Sequence, residues 1–159
     1  MHIQFVFQIT YNCNLRCEYC YQPKTANKVL TKEEAFKFID EWFKYYTTDE
    51  SKIFSYYMAN RQKPNSYTLN FFGGEPLLYP ELVMDIIDYF HDKCLEINLE
   101  QLWNNTTLMF QTNGTLVKTE GVLALEQKYG DHILWHSTFE GTEEKQDAER
   151  KFADGRGSY

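Results

Sequence analysis

Apolar positions along the chain follow two rhythms in turn. Residues 3–9 are rich in β-branched and aromatic side chains and read as a buried first strand. After a loop bearing cysteines, Ala35, Phe36, Phe38, Ile39, Trp42, Phe43 and Tyr46 recur at helical spacing, which predicts a helix over 32–47 with one apolar face. Thr31-Lys32-Glu33-Glu34 opens it as a capping box, Thr31 capping and Glu34 reaching back. Residues 48–66 are polar and irregular, with Lys63-Pro64-Asn65-Ser66 as a breaker, and read as a surface excursion. Residues 67–72 alternate and end at Gly73-Gly74. Pro80 stands where a helix starts, and Leu82, Val83, Ile86, Ile87 and Phe90 give that helix its buried stripe as far as about Ile97. A third strand is predicted over 107–112, closed by Asn113-Gly114, then a helix over 117–129 with Gly130 at its end. A fourth strand over 133–139 and a fourth helix over 143–152 follow, before a turn-rich tail.

Strands alternating with helices imply an α/β fold with a parallel sheet. Four βα units fit either an open sheet or an arc of a (βα) barrel. In both, ligands sit at the C-terminal ends of the strands. The unusual residues cluster at those ends: the cysteines after strand one, Gly73-Gly74-Glu75-Pro76 after strand two, Asn113-Gly114 after strand three, Glu140-Gly141 after strand four.

Composition narrows the function classes. The 159 residues suffice for one domain with a sizeable core, and the aromatic share of 17% points to large rings packed inside it. A net charge of −7 argues against a general nucleic-acid partner, which needs a basic face. No apolar run is long enough to span a membrane, and the N-terminus reads as a strand, not a signal peptide. A reducing, cytoplasmic setting is expected, where clustered cysteines more often bind metal than form disulfides.

Three of the four cysteines lie within eight residues: Cys13, Cys17 and Cys20. Three thiolates so close can converge on one inorganic centre. A [4Fe-4S] cluster normally takes four Cys ligands, so three would leave one iron open for chemistry. A zinc site completed by His2, His91, His132 or His136 is the alternative, although none of these stands in an obvious sequence relation to the cysteines. Cys94, beside Leu95 on the second helix, reads as a buried small hydrophobe.

The C-x3-C-x2-C loop, with Tyr19 just before its last cysteine, resembles the signature loop of the radical S-adenosylmethionine superfamily. Phe72-Gly73-Gly74-Glu75-Pro76-Leu77 resembles its GGEP motif, and Gln111-Thr112-Asn113-Gly114 the motif ending its third strand. Thr138-Phe139-Glu140-Gly141, through Gln146-Asp147 and Arg150 to Asp154-Gly155-Arg156-Gly157-Ser158-Tyr159, is similar to the branch of anaerobic sulfatase-maturating enzymes and SPASM-domain peptide modifiers. Four such pieces, in order after four successive strands, carry far more weight than any one alone.

The resemblance implies a partial (βα) barrel, with residues 1–159 forming the N-terminal portion of the core. The last βα units and any auxiliary-cluster domain would lie outside it. It implies a [4Fe-4S] cluster on Cys13, Cys17 and Cys20 that binds S-adenosylmethionine at its open iron and cleaves it reductively to a 5′-deoxyadenosyl radical. That radical would abstract hydrogen from a substrate, which in this branch is a peptide or protein. An electron donor such as flavodoxin or ferredoxin is implied as a partner. Gly73, Gly74 and Glu75 would receive the methionyl ammonium, Arg150 the carboxylate and Thr138 the ribose. Tyr19 would lie near the adenine, with Gln111 and Asn113 close by. The branch often has Asp where Glu140 stands and His where Gln146 stands, so the second difference removes a titratable group. Three readings of the whole remain: part of a longer enzyme, a truncated product with little catalysis, or a non-catalytic iron–sulfur or zinc module that binds a partner.

Overall fold

The computed structural model describes residues 2–22, 27–47 and 66–159. The excursion expected over 48–66 therefore lies almost wholly outside the described residues, as does the side chain of Tyr46. Four strands, β1 (His2–Thr10), β2 (Ser66–Gly73), β3 (Thr106–Thr112) and β4 (Ile133–Ser137), form one sheet in the order β1-β2-β3-β4. All three neighbouring pairs are parallel. Helices α1 (Lys32–Thr47), α2 (Pro80–Glu96) and α4 (Glu120–Tyr129) connect them, and a short α3 (Glu100–Asn104) precedes β3. A last helix, α5 (Glu143–Glu149), follows β4.

The alternation in each strand decides which face is covered. Phe5, Phe7 and Ile9 of β1, Tyr67, Leu69 and Phe71 of β2, and Leu108 and Phe110 of β3 are buried against α1, α2 and α4. The intervening residues look the other way, and there Val6 and Leu134 are each 52% exposed. A doubly wound sheet would carry helices on both faces and reverse its strand order somewhere. Here the order is sequential and, among the described residues, helices cover one face, which is the geometry of an arc of a (βα) barrel.

Register builds one aromatic row across the whole sheet. Phe7 pairs with Phe71, Phe71 with Phe110, and Phe110 with Trp135. The ring centroids lie 5.7, 5.1 and 4.9 Å apart along that row, the first two pairs stacked. Phe43, Trp42 and Phe90 bring the helices onto it through Phe5. The high aromatic content therefore serves packing.

The capping box at α1 forms as expected: Glu34 N–H donates to Thr31 Oγ1 at 3.2 Å and Thr31 N–H to Glu34 Oε2 at 3.1 Å. Several boundaries differ from the sequence expectation, each for a local reason. The helix expected from 117 begins at Glu120, because Thr119 is held back by hydrogen bonds to the Leu116 carbonyl. Strand β4 stops at Ser137, short of 139, and Glu140 N–H turns to Gln146 Oε1. Helix α5 ends at Glu149, short of 152, because Lys151 and Phe152 are drawn into bridges with Gly157 and Leu15. The short α3 went unpredicted; it follows Asn98, whose φ of 55° breaks the chain after α2.

Phe71 sits at the centre of the aromatic row with no exposed surface. Phe71→Ala is expected to destabilise the fold by about 3–5 kcal/mol. Urea unfolding checks this, and a loss below about 1 kcal/mol would contradict a single continuous core.

Candidate functional site

The loop after β1 is held in place on both sides by backbone. On one side Gly74 N–H donates to Thr10 O at 2.7 Å and Glu75 N–H to Asn12 O at 2.8 Å. A Cβ at Gly73 would fall 2.2 Å from Thr10 O, and one at Gly74 2.1 Å from Asn12 O. Gly73 also has a φ of 144°, which L residues rarely adopt. The paired glycines thus let β2's end close onto the start of the cysteine loop. On the other side Arg16 N–H donates to Lys151 O, Glu18 N–H to Glu149 O, and Ala153 N–H to Asn14 O, at 2.7–3.1 Å. Arg16 folds back, its Nη1 donating to the carbonyls of Cys13 and Leu15.

A third set of bonds ties this loop to the end of β3. Asn113 Nδ2 donates to Asn14 Oδ1 at 2.8 Å, and Asn14 Nδ2 to Thr115 Oγ1 at 2.7 Å. Thr115 Oγ1 donates in turn to Asn113 Oδ1 at 2.7 Å. The ring closes on itself and leaves Asn113 Nδ2 also 3.7 Å from Cys13 Sγ. Leu15 N–H points at the same sulfur from 3.4 Å.

Glu75 locks β2 to β3. Its carboxylate has no exposed surface and accepts three hydrogen bonds: from Leu77 N–H at 3.0 Å, Thr112 Oγ1 at 2.8 Å and Asn113 N–H at 2.7 Å. Burial pushes the carboxyl above its usual range, and the three donors pull it back only in part.

These contacts leave a cavity of about 220 Å³ at the C-terminal ends of the strands. Cys13, Cys17, Cys20, Tyr19, Gly73, Gly74, Gln111, Asn113, Thr138 and Arg150 all line it. Ten residues singled out from the sequence therefore share one hollow. Glu75 does not line it and lies buried behind the wall. Gln111 is steadied by its Nε2 bond to buried Asn70 at 3.1 Å. Two hollows of about 450 Å³ each lie elsewhere, around Asp131 and His132, and contain no thiol.

All four cysteines are free thiols. Burial pushes Cys13 and Cys17 above the usual thiol range, and Arg150 opposes the shift at Cys17. Burial does the same to Tyr19, together with the carboxylate of Glu140 beside it. Cys94 is fully buried and its thiol is pushed up to about 12, which suits an inert core residue. Among the described residues no three His, Cys, Asp or Glu side chains are gathered into a ready metal-binding group. The three thiols share a wall without their sulfurs converging.

Other residues named from the sequence take roles here that their spacing did not assign. Gln146 is buried and structural: its Oε1 accepts from Glu140 N–H and its Nε2 donates to Ser158 Oγ at 3.0 Å. Asp147 Oδ1 accepts from the N–H groups of Ser158 and Tyr159, holding the tail. His136 also lines the cavity. Its position was legible in the alternation of β4, since it pairs in register with Gln111.

Glu75→Gln tests the lock between β2 and β3. An amide would set its NH2 against one of the three donors, so stability is expected to fall by about 1–3 kcal/mol. Urea unfolding measures it, and an unchanged midpoint would mean the carboxylate does not hold the two strand ends together.

Residues 7–157 match the model of the Radical SAM superfamily. An uncharacterized protein of Methanocaldococcus jannaschii is 30% identical over 131 residues, covering 80% of this chain and 37% of that protein. Among solved structures, anSMEcpe, an anaerobic sulfatase-maturating enzyme, matches in two forms: with bound AdoMet and the Kp18Cys peptide, and with bound AdoMet. Both align at a TM-score of 0.65 and 18% identity, over 99% of this chain and 37% of that chain, which is a likeness of fold. The chain spans a little over a third of the length of the relatives it matches. Among the described residues no helix is long and apolar enough to cross a membrane. The family match extends from Phe7 of β1 to the bridge at Gly157, and this chain belongs to the radical SAM superfamily.

Proposed function

We propose that Cys13, Cys17 and Cys20 hold a [4Fe-4S] cluster and that AdoMet binds beside it in the same cavity. The observation that carries this reading is the pairing of three thiols with a buried arginine on one wall. Arg150 is 5% exposed, and its Nε has no hydrogen-bond partner among the described residues. A buried cation with an idle donor fits an anionic ligand.

The residues present fit the two groups. Soft thiol donors suit iron–sulfur chemistry, and the Leu15 N–H and Asn113 amide beside Cys13 Sγ suit a negatively charged, sulfur-ligated centre. Held by Cys13, Cys17 and Cys20, the cluster would supply the electron for reductive cleavage of AdoMet and so the radical chemistry of the family. Arg150 would hold the methionyl carboxylate by a charge-assisted pair. The backbone of Gly73 and Gly74 would receive the ammonium, with Glu75 setting that backbone from behind. Thr138 would meet the ribose and the Tyr19 ring the adenine. Gln111 and Asn113 would complete the wall. The substrate is proposed to be a peptide or protein, in keeping with the peptide in one anSMEcpe structure. A flavodoxin or ferredoxin would deliver the electron. This chain would be one portion of a longer core, with substrate choice made outside it.

His136 favours a second reading. With three cysteines on the same wall it gives a Cys3His donor set, which suits a zinc module binding a partner without catalysis. Metal content separates the two. After anaerobic reconstitution the protein is expected to hold about four irons per chain and to give a reduced-state EPR signal that shifts on adding AdoMet. Cys13→Ala should abolish the signal and Cys94→Ala should leave it. Zinc at about one per chain, with no iron uptake, would overturn the cluster.

A further inference from the structure

One hydroxyl joins the cysteine loop to the segment after β4. Arg150 Nη1 donates to Tyr19 Oη at 2.8 Å, and Tyr19 Oη donates to Glu140 Oε1 at 2.5 Å. Among the described residues Arg150 forms no ion pair, and the Tyr19 hydroxyl bridges it to the Glu140 carboxylate. The guanidinium is rigid and planar, and fixing one nitrogen restricts the direction of the others. Nη1 is the nitrogen fixed, and Nε is the one left without a partner.

A direct Glu140–Arg150 pair would occupy the cation and leave little for a ligand. The bridging hydroxyl keeps the carboxylate one bond away. It offsets part of the buried charge while Nε is left without a partner among the described residues. Tyr19 also sits between two cluster-loop cysteines, so its hydroxyl fixes the arginine relative to that loop.

We propose that Tyr19 and Glu140 are positioning residues that orient Arg150 toward the carboxylate of AdoMet. This rests on the functional reading above. The role belongs to the Tyr19 hydroxyl and is separate from any contact of its ring with adenine. It also gives Glu140 a task at the cofactor, through Arg150, without touching substrate.

The test compares AdoMet with decarboxylated AdoMet, which lacks the group that Arg150 would hold. Dissociation constants are measured on the anaerobically reconstituted protein by calorimetry, with iron content and far-UV circular dichroism as controls. Tyr19→Phe keeps the ring and removes the hydroxyl. It and Glu140→Ala are each expected to weaken AdoMet about tenfold while leaving decarboxylated AdoMet unchanged. Adding Tyr19→Phe to Arg150→Ala should cost nothing further, because both act on one contact. Equal losses for the two ligands, no loss for AdoMet, or additive losses in the double variant would overturn the proposal. If the parent protein binds no AdoMet, the functional reading falls and this inference falls with it. If the parent binds and the variants do not discriminate, only the positioning role falls.

Discussion

Everything at the cavity depends on how closely the end of β2 approaches its neighbours. Gly73 and Gly74 let that backbone close on Thr10 and Asn12, to distances at which any Cβ would collide. The next residue, Glu75, then turns a fully buried carboxylate on Thr112 and Asn113 at the end of β3. Three consecutive residues thereby fix three strand ends. A single buried carboxylate thus joins the two strand ends, and three donors offset part of its desolvation cost.

The cysteine loop inherits its shape from that lock and from the far end of the chain. Asn14 and Asn113 bind it to β3, and backbone bonds from residues 16 and 18 pair it with residues 149–151. Asp147 and Gln146 in turn hold the tail that borders those residues. The loop is thus framed by segments about a hundred residues or more away in sequence, while Arg16 satisfies its inner carbonyls. This arrangement places three thiols on one wall before any inorganic group draws them together. It also explains why the aromatic row lies on the opposite face: the core is packed where the helices are, and the strand ends are left to polar chemistry.

Much of this was legible in the sequence. Periodicity gave all four strands and the three long crossover helices, and the order of motifs placed the chemistry at one end of the sheet. What stayed hidden was long-range. The family resemblance makes Glu75 a ligand group for the methionyl ammonium. Only the fold shows its carboxylate buried behind the cavity wall. Gln146 reads as a lost histidine, yet its amide is buried and uses both its donor and its acceptor. Helix ends at 120 and 149 were set by Thr119 and by the bridge from Leu15 to Phe152, neither of which a local pattern contains. Arg150 kept its expected place at the cavity, but its partner Tyr19, 131 positions earlier, could not be inferred from spacing.

Hydrogen exchange on the reconstituted protein, with and without AdoMet, shows whether the cysteine loop and the three segments framing it bind the cofactor as one unit. Joint protection of residues 13–21, 73–75, 111–115 and 138–150 is expected, with no change at the opposite ends of the strands. Protection confined to the neighbourhood of Asp131 and His132, or absent from all four segments, would contradict it.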